Sequence, residues 1–341
     1  MLSPNTMDSF YKPASALGAL LMLFGCIGEE PINRNTAMFN LAVSDAAIDS
    51  VDSVVVVYSK VALLSLSGEQ PIVMDIELLS EESGKVDLLK YQGSSKASLV
   101  TNKAIPPGEY ELCLFVRNGE SQNDQLSHVV ETNTHSIEPL SIESNGACPL
   151  SGEESEYNVG ESVLHFDKTL TLQSGDNHFV AEFDLRSGLQ KHIEQEFTYT
   201  LQKESIKLID ERDAGVVMGT VDHSVIEQCR IDNLIASTID AVYLYPTQVA
   251  RSNMGSFSEN GRYAVEPIAA ANVTTYDGIH YEFDIGYVEE GTYSLGYTCV
   301  ADKDPAVKTE QALPAFNIYQ AEQPVKVYPQ YLSEIDFSTI I

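Results

Sequence analysis

The sequence contains no tryptophan, and it has only 20 Lys and Arg against 50 Asp and Glu over 341 residues. The formal net charge is −30 at pH 7. Because nucleic-acid binding is driven by Lys and Arg that neutralise phosphates, we predict no nucleic-acid partner. The missing tryptophan also weakens the case for a sugar-stacking platform. Such acidity instead indicates solubility, a salty habitat or attraction for cations.

Common catalytic motifs are also missing. The chain has no G-x-S-x-G, H-E-x-x-H or G-x-x-x-x-G-K-[ST] pattern, so the usual hydrolase and nucleotide-binding signatures do not apply. The seven His residues are scattered. Carboxylate pairs are too plentiful to mark a glycosidase, which needs a cleft and a defined separation. The sequence therefore favours a protein that is not an enzyme.

No apolar run reaches the roughly 20 residues that a membrane-spanning helix needs. The run Ala14–Gly25 has 12 residues. A short apolar run behind a weakly basic start at Lys12, ending in small residues, predicts a secretory signal peptide over residues 1–25 that is removed on export. Met7 is an alternative start of translation.

Cys26 follows this run directly. Leu23-Phe24-Gly25-Cys26 resembles the bacterial lipobox, in which the Cys is lipidated and becomes the first residue. The alternative is a buried thiol in a core helix, but the following Gly28-Glu29-Glu30-Pro31 would end such a helix. Ile27 stands where an Asp is the usual inner-membrane retention signal, so we expect an exported outer-membrane lipoprotein. Residues 26–36 would form a short lipidated tether.

The remaining four cysteines are Cys113, Cys148, Cys229 and Cys299. An even number in an exported chain predicts disulfides, for which three connectivities exist. Domain order favours Cys113 with Cys148 and Cys229 with Cys299. No C-x-x-C or Cys/His cluster suggests zinc.

Strand patterns dominate from residue 37 onward. Val54–Leu64 is a long β-branched run, and Lys85–Tyr91 mixes polar and apolar residues as a half-buried strand does. The one helix candidate is Ser187–Gln195. Many strands at short spacing with few short helices predict an all-β protein of two β-sandwich domains, transthyretin-like or Ig-like. A boundary near Asp210–Ala214 divides the chain into residues 37–210 and 214–341.

The first of these segments resembles a bacterial and archaeal lipoprotein family, the domain of unknown function 4382. The resemblance covers about residues 37–210. It rests on Phe39–Ala46, Val54–Leu64, Val86–Leu89, Gly108-x-Tyr110 and Phe179–Leu185. The family implies a surface-anchored β-sandwich and supplies no catalytic residues. Residues 214–341 look like a Cna-B or carboxypeptidase-regulatory-like sandwich, which is transthyretin-like.

Calcium is the one cofactor that the sequence suggests. Asp45, Asp49 and Asp52 are expected in one loop between strands, and hard cations require several oxygen ligands. Asp also stabilises turns through its own backbone hydrogen bonds, so a purely structural role is the alternative. Residues 118–167 contain ten acids and no Lys or Arg, which suggests a long surface loop.

The sequence as a whole predicts a lipid-anchored envelope protein that acts as a non-enzymatic binding or structural module. The expected partners are the membrane, through Cys26, and a polysaccharide, an envelope protein or another cell-surface partner. The alternative is an accessory carbohydrate-active or other hydrolytic enzyme.

Overall fold

The computed structural model describes residues 36–46, 48, 51–76, 84–144, 148–150, 160–192, 198–234, 239–257, 264–304 and 316–339. Cys26 and its tether lie outside these residues. The described strands form four sheets, and these pack as two β-sandwiches. Both sandwiches belong to one compact unit. The all-β prediction with few short helices is confirmed.

The first sandwich contains strands β1 to β13 and a single helical turn, α1. Their bounds are β1 Ala37–Ala46, β2 Val51–Ser65, β3 Ile72–Asp75, β4 Lys85–Asp87, β5 Ala97–Ile105, β6 Gly108–Arg117, β7 His128–Glu131, β8 Ile137–Ile142, β9 Glu161–Leu172, β10 Gly175–Asp184, α1 Leu185–Gly188, β11 Leu189–Lys191, β12 Tyr199–Leu201 and β13 Ile206–Asp210. Sheet I has the order β13-β10-β1-β5. Sheet II has the order β11-β12-β8-β7-β2-β6-β9, and β3 and β4 also pair with β2.

The two sheets of the first sandwich share one apolar core. In β1, alternate residues from Ala37 to Val43 point into this core, as the two-residue period of a strand requires. Phe39 packs on Phe179 of the parallel neighbour β10, with ring centroids 5.9 Å apart. β2 is buried on both faces because a further cluster, which includes Cys113 and Cys148, covers the outer face of sheet II.

The second sandwich contains strands β14 to β20 and one longer helix, α2. Their bounds are β14 Ala214–Thr220, α2 His223–Asp232, β15 Ala241–Tyr245, β16 Ala269–Asn272, β17 Glu282–Glu289, β18 Gly291–Thr298, β19 Gln320–Val327 and β20 Leu332–Glu334. Sheet III has the order β17-β14-β20, and sheet IV has the order β16-β15-β18-β19. Buried side chains of both sheets and of α2 form its core.

Each sandwich contains one disulfide. Cys113 in β6 is bonded to Cys148, and Cys229 in α2 is bonded to Cys299, which follows β18. These are the pairs that domain order favours. The first holds the segment around Cys148 on the outer face of sheet II, and the second fixes α2 to sheet IV. All four cysteines of these disulfides are fully buried.

Three sequence predictions of local structure are wrong. The helix expected at Ser187–Gln195 is only the turn α1, which ends at Gly188 because the chain continues as strand β11. The strand expected at Lys85–Tyr91 stops at Asp87, where a 3₁₀ turn begins. The acidic segment 118–167 is not one surface loop, since it contains β7, β8 and the start of β9.

Candidate functional site

A buried arginine joins the two sandwiches. α1 directly follows β10, and the Asp184 carboxylate caps it by accepting a hydrogen bond from the Ser187 amide at 3.0 Å. This turn directs Arg186, which is 2 % exposed, toward the second sandwich. There its Nη1 donates to the Asp304 carbonyl at 3.0 Å, and its Nη2 donates to Asn272 Oδ1 at 3.2 Å. Because a buried charge requires such partners, these bonds hold the two sandwiches in one arrangement.

We call the contact region around Arg186 and its partners the joint. Two glycines allow the backbones of the two sandwiches to touch in this region. A Cβ on Gly286 would lie 2.3 Å from the carbonyl oxygen of Gly93. Gly93 has a positive φ of +62°, and a Cβ there would lie 2.8 Å from Asp284. The amide and hydroxyl of Ser94 donate to Asp284 Oδ2 at 3.0 and 2.5 Å. Only glycine fits at these two positions without displacing the neighbouring strand.

A groove with a volume of about 380 Å³ opens between the two sandwiches. Strands β9, β10 and β13 of the first sandwich form one wall, and β15, β17 and β18 of the second form the other. The residues that give it chemical character are Lys168, Glu182, Lys203, Lys207, Tyr287 and Tyr293. The volume lies within the range of small-molecule binding sites, which is about 300–1,000 Å³.

A carboxyl and an ammonium group face each other in the groove. Glu182 and Lys207 are directly opposite across β10 and β13, and they lie on the outer face of sheet I because their neighbours Phe183 and Ile206 point into the core. Burial raises the pKa of Glu182 to about 8, although the Lys207 ammonium lowers it and the Asp184 carboxylate raises it further. Glu182 is therefore mostly neutral at pH 7.

A β-bulge aims Tyr287 into the groove. Gly286 and Tyr287 both oppose Val216 of β14, and Tyr287 has the left-handed φ of 52°. Its hydroxyl donates to the Ser94 carbonyl at 3.0 Å. The hydroxyl of Tyr293 donates to the Glu289 carbonyl at 2.9 Å. Both rings are half-buried with their hydroxyls already bonded to protein.

A second recess of about 550 Å³ lies between the segment 89–95 and the strands β14 and β17. Its lining contains one lysine, Lys90, against the three acids Glu282, Asp284 and Glu334. It therefore has the acidic character of the whole chain, whereas the groove has three lysines. We take the groove as the candidate functional site.

The aspartates of the calcium prediction do not share one loop. Asp45 lies in β1 and Asp52 in β2, while Asp49 lies outside the described residues. Asp52 is exposed and contacts His135 Nδ1 at 2.8 Å through its Oδ2. Among the described residues, no group of three or more His, Cys, Asp or Glu is placed to hold a metal ion.

Asp45 is instead a buried core residue. β1 continues its inward alternation through this position, so the carboxylate points into the end of the first core and is 1 % exposed. Neither of its oxygens has a hydrogen-bond partner among the described residues, although the Leu185 amide is close enough to lower the Asp45 pKa. Burial raises the pKa of Asp45 well above its usual value, and the charge of Asp184 adds to this effect.

Residues 36–202 match the family described as Domain of unknown function (DUF4382). This confirms the resemblance of the first sandwich to that family. No curated protein matches the chain. Within the described residues, no helix is both long and apolar enough to cross a membrane.

Three similar solved structures come from Bacteroides. A candidate adhesin from Bacteroides ovatus is 11 % identical with a TM-score of 0.18, over 89 % of this chain and 94 % of that chain. A candidate cell adhesion protein from Bacteroides fragilis is 8 % identical with a TM-score of 0.19, over 89 % and 95 %. A candidate polysaccharide-binding protein from Bacteroides thetaiotaomicron is 10 % identical with a TM-score of 0.16, over 75 % of each chain. These TM-scores are too low to indicate a shared fold.

None of the residues that line the groove is predicted as a site residue from the sequence. Alternation in Ile206–Asp210 places Lys207 outward, but no pattern in the sequence shows that another domain packs over that face. The left-handed Tyr287 also has no sequence signal, since such a φ is unusual for a bulky residue. The Gly286 before it is the one residue in this stretch that suggests a bulge.

Proposed function

We propose that the protein is an exported, lipid-anchored, non-enzymatic binding module of the bacterial envelope, which holds a polysaccharide in the groove between its two sandwiches. The observation that carries this proposal is the groove itself. Its two walls come from different sandwiches and are fixed by the buried bonds of Arg186. A preformed concave site with a few polar groups is the usual form of a binding site.

Export is supported by the two disulfides, because disulfides persist in oxidising compartments outside the cytosol. Anchoring is supported by the position of Cys26 after the apolar run. We expect the outer membrane as the location. Replacing Cys26 by Ala should prevent incorporation of radiolabelled palmitate; equal labelling of wild type and variant would contradict lipidation.

Binding is tested with the full-length protein in detergent, using a panel of bacterial and plant polysaccharides. We expect saturable binding of at least one polymer and no release of reducing ends. Arg186→Met should weaken this binding because it loosens the joint beside the groove. Absence of binding to every polymer in the panel would contradict the proposal.

Hydrolysis is the second candidate, and one observation favours it. The groove contains Glu182, whose raised pKa is that of a general acid, together with the carboxylates of Asp167 and Glu289. Glycoside hydrolases use such carboxylate pairs. If the protein is a hydrolase, it should release reducing ends and Glu182→Gln should abolish that release. Turnover that depends on Glu182 would replace the binding proposal.

A further inference from the structure

The lysines of the groove have long contacts with the protein. Lys168 Nζ lies 3.3 Å from Glu289 Oε1, and Lys203 Nζ lies 3.7 Å from the adjacent Glu204. Lys207 Nζ donates to the Ile268 carbonyl at 3.5 Å, which is the limit of a hydrogen bond. An ammonium group has three donors, so each of these lysines retains capacity for an external acceptor.

Three lysines outside the groove are held more closely than those within it. Lys303 Nζ lies 2.5 Å from Asp302, and Lys191 and Lys96 form still shorter contacts with Glu131 and Glu211. These contacts neutralise the lysines within the protein. Lys60 and Lys90, also outside the groove, have ion-pair contacts of 3.5 Å, as long as those of the groove lysines. What distinguishes the groove is that three lysines with long contacts line one recess.

The charge balance in the groove also differs from that of the whole chain. Its lining has the three lysines against the acids Asp167, Glu182 and Glu289. Glu182 is mostly neutral at pH 7, because burial raises its pKa to about 8. The groove is then slightly positive, in a protein whose formal net charge is −30. A positive recess with low-dielectric walls concentrates anions locally.

The remaining lining suits the flat faces of sugar rings. The half-buried rings of Tyr287 and Tyr293 line the groove together with the partly buried apolar residues Phe166 and Ile268. The two tyrosine hydroxyls are bonded to backbone carbonyls, so the rings contribute mainly apolar faces. Aromatic and apolar walls with a few charged groups are typical of a site that orients a ligand through those charges.

We propose that the groove binds an acidic polysaccharide, whose carboxylate or sulfate groups pair with Lys168, Lys203 and Lys207 while its sugar rings lie on Tyr287 and Tyr293. The inference rests on the proposed function and names the class of its ligand. The groove selects this class by charge, since the rest of the surface repels polyanions. An acidic peptide would use the lysines equally but would gain less from the two rings.

The test measures binding of the full-length protein to immobilised polygalacturonate and dextran sulfate, with neutral dextran and polyglutamate as comparisons. We expect both acidic polysaccharides to bind and dextran not to bind. Affinity should fall steeply from 50 to 200 mM salt, because exposed ion pairs are screened. Lys168→Gln and Lys207→Gln should each weaken binding about tenfold, since a charge-assisted hydrogen bond contributes about 1.5–3 kcal/mol and 1.4 kcal/mol is tenfold.

The matched control is Lys103→Gln, because Lys103 is an exposed lysine of β5 outside the groove. It should leave affinity unchanged, and all three variants should keep the wild-type melting temperature. Binding of dextran equal to that of polygalacturonate, without salt or lysine dependence, would overturn the inference while the proposed function stands. Equal or tighter binding of polyglutamate would assign the groove to an acidic peptide instead. Failure to bind any polysaccharide would contradict the proposed function itself.

Discussion

Replacing Arg186 by Met removes the buried cation of the joint while keeping much of its apolar bulk. The charge-assisted hydrogen bonds that are lost include those at 3.0 Å to the Asp304 carbonyl and 3.2 Å to Asn272 Oδ1. Bonds of this kind contribute about 1.5–3 kcal/mol each, and breaking a buried ionic contact typically costs about 3–5 kcal/mol. The Asp184 and Asp45 carboxylates also lose a nearby positive charge that lowers their pKa values. We therefore expect the free energy of unfolding to fall by about 3–5 kcal/mol.

Urea unfolding followed by circular dichroism and tyrosine fluorescence measures this change, since the chain contains no tryptophan. The control is Arg251→Met, because Arg251 is exposed and donates to the Tyr319 carbonyl within the second sandwich. That surface change should cost no more than about 0.5 kcal/mol. Loss of the joint should also separate the unfolding of the two sandwiches into two transitions. An Arg186→Met variant as stable as Arg251→Met would refute the role of Arg186 in the joint.

Non-reducing peptide mapping should find Cys113 linked to Cys148 and Cys229 linked to Cys299, and any cross-pairing would contradict these disulfides. Replacing both Cys229 and Cys299 by Ser should lower the free energy of unfolding by about 4 kcal/mol, because this disulfide closes a loop of 70 residues. Burial raises the Glu182 pKa from 4.5 to about 8, so this group binds more protons when folded, and stability should fall as pH rises through this range. Glu182→Gln should remove that part of the pH dependence, and an unchanged profile would contradict it. Millimolar calcium should leave the melting temperature unchanged, because Asp45 is buried and Asp52 pairs with His135; stabilisation by about 2.7 kcal/mol, expected at 100 times a dissociation constant, would restore the calcium hypothesis.

The sheets were predictable because their strands carry strong local patterns. The run Val54–Leu64 falls within β2, and the inward residues of β1 repeat every second position. The helix α2 was missed because only Val225, Ile226 and Cys229 of its ten residues are buried, which gives a weak helical pattern. The pattern of apolar residues therefore predicts a strand or a helix only where one face of that element is clearly apolar.

Asp45 shows why the position of a residue in the core is difficult to predict from sequence. An aspartate near the end of an apolar strand ordinarily marks a turn, so the pattern predicts that β1 ends before it. The structure keeps Asp45 paired with Phe183 in the parallel ladder, which points the carboxylate into the core. Its neighbour Tyr58 is also buried, and its hydroxyl has no hydrogen-bond partner. The alternation of apolar and polar residues along a strand would not place a polar group in the core, so only the sheet register reveals that Asp45 lies there.

The groove could not be predicted because it exists only when residues far apart in the chain meet. Lys168 is in β9, Lys207 is in β13, and Tyr287 is in a bulge of the second sandwich. Each is unremarkable in its own strand. What brings them together is the packing of the first sandwich against the second, which includes the close backbone approach of Gly93 to Gly286. That packing depends on the absence of a side chain, which a single sequence cannot distinguish from an ordinary turn glycine.

The joint also bears on which kind of function the groove can have. Its walls are fixed by the bonds of Arg186 and by backbone contact at Gly286, so the groove has its shape before any ligand arrives. A preformed site loses less conformational entropy on binding than one that must close. Attachment through Cys26 would add a high local concentration of envelope polymer, so that modest affinity suffices. Many enzymes close a lid to exclude water during reaction, whereas the polymer binding proposed above requires no such closure.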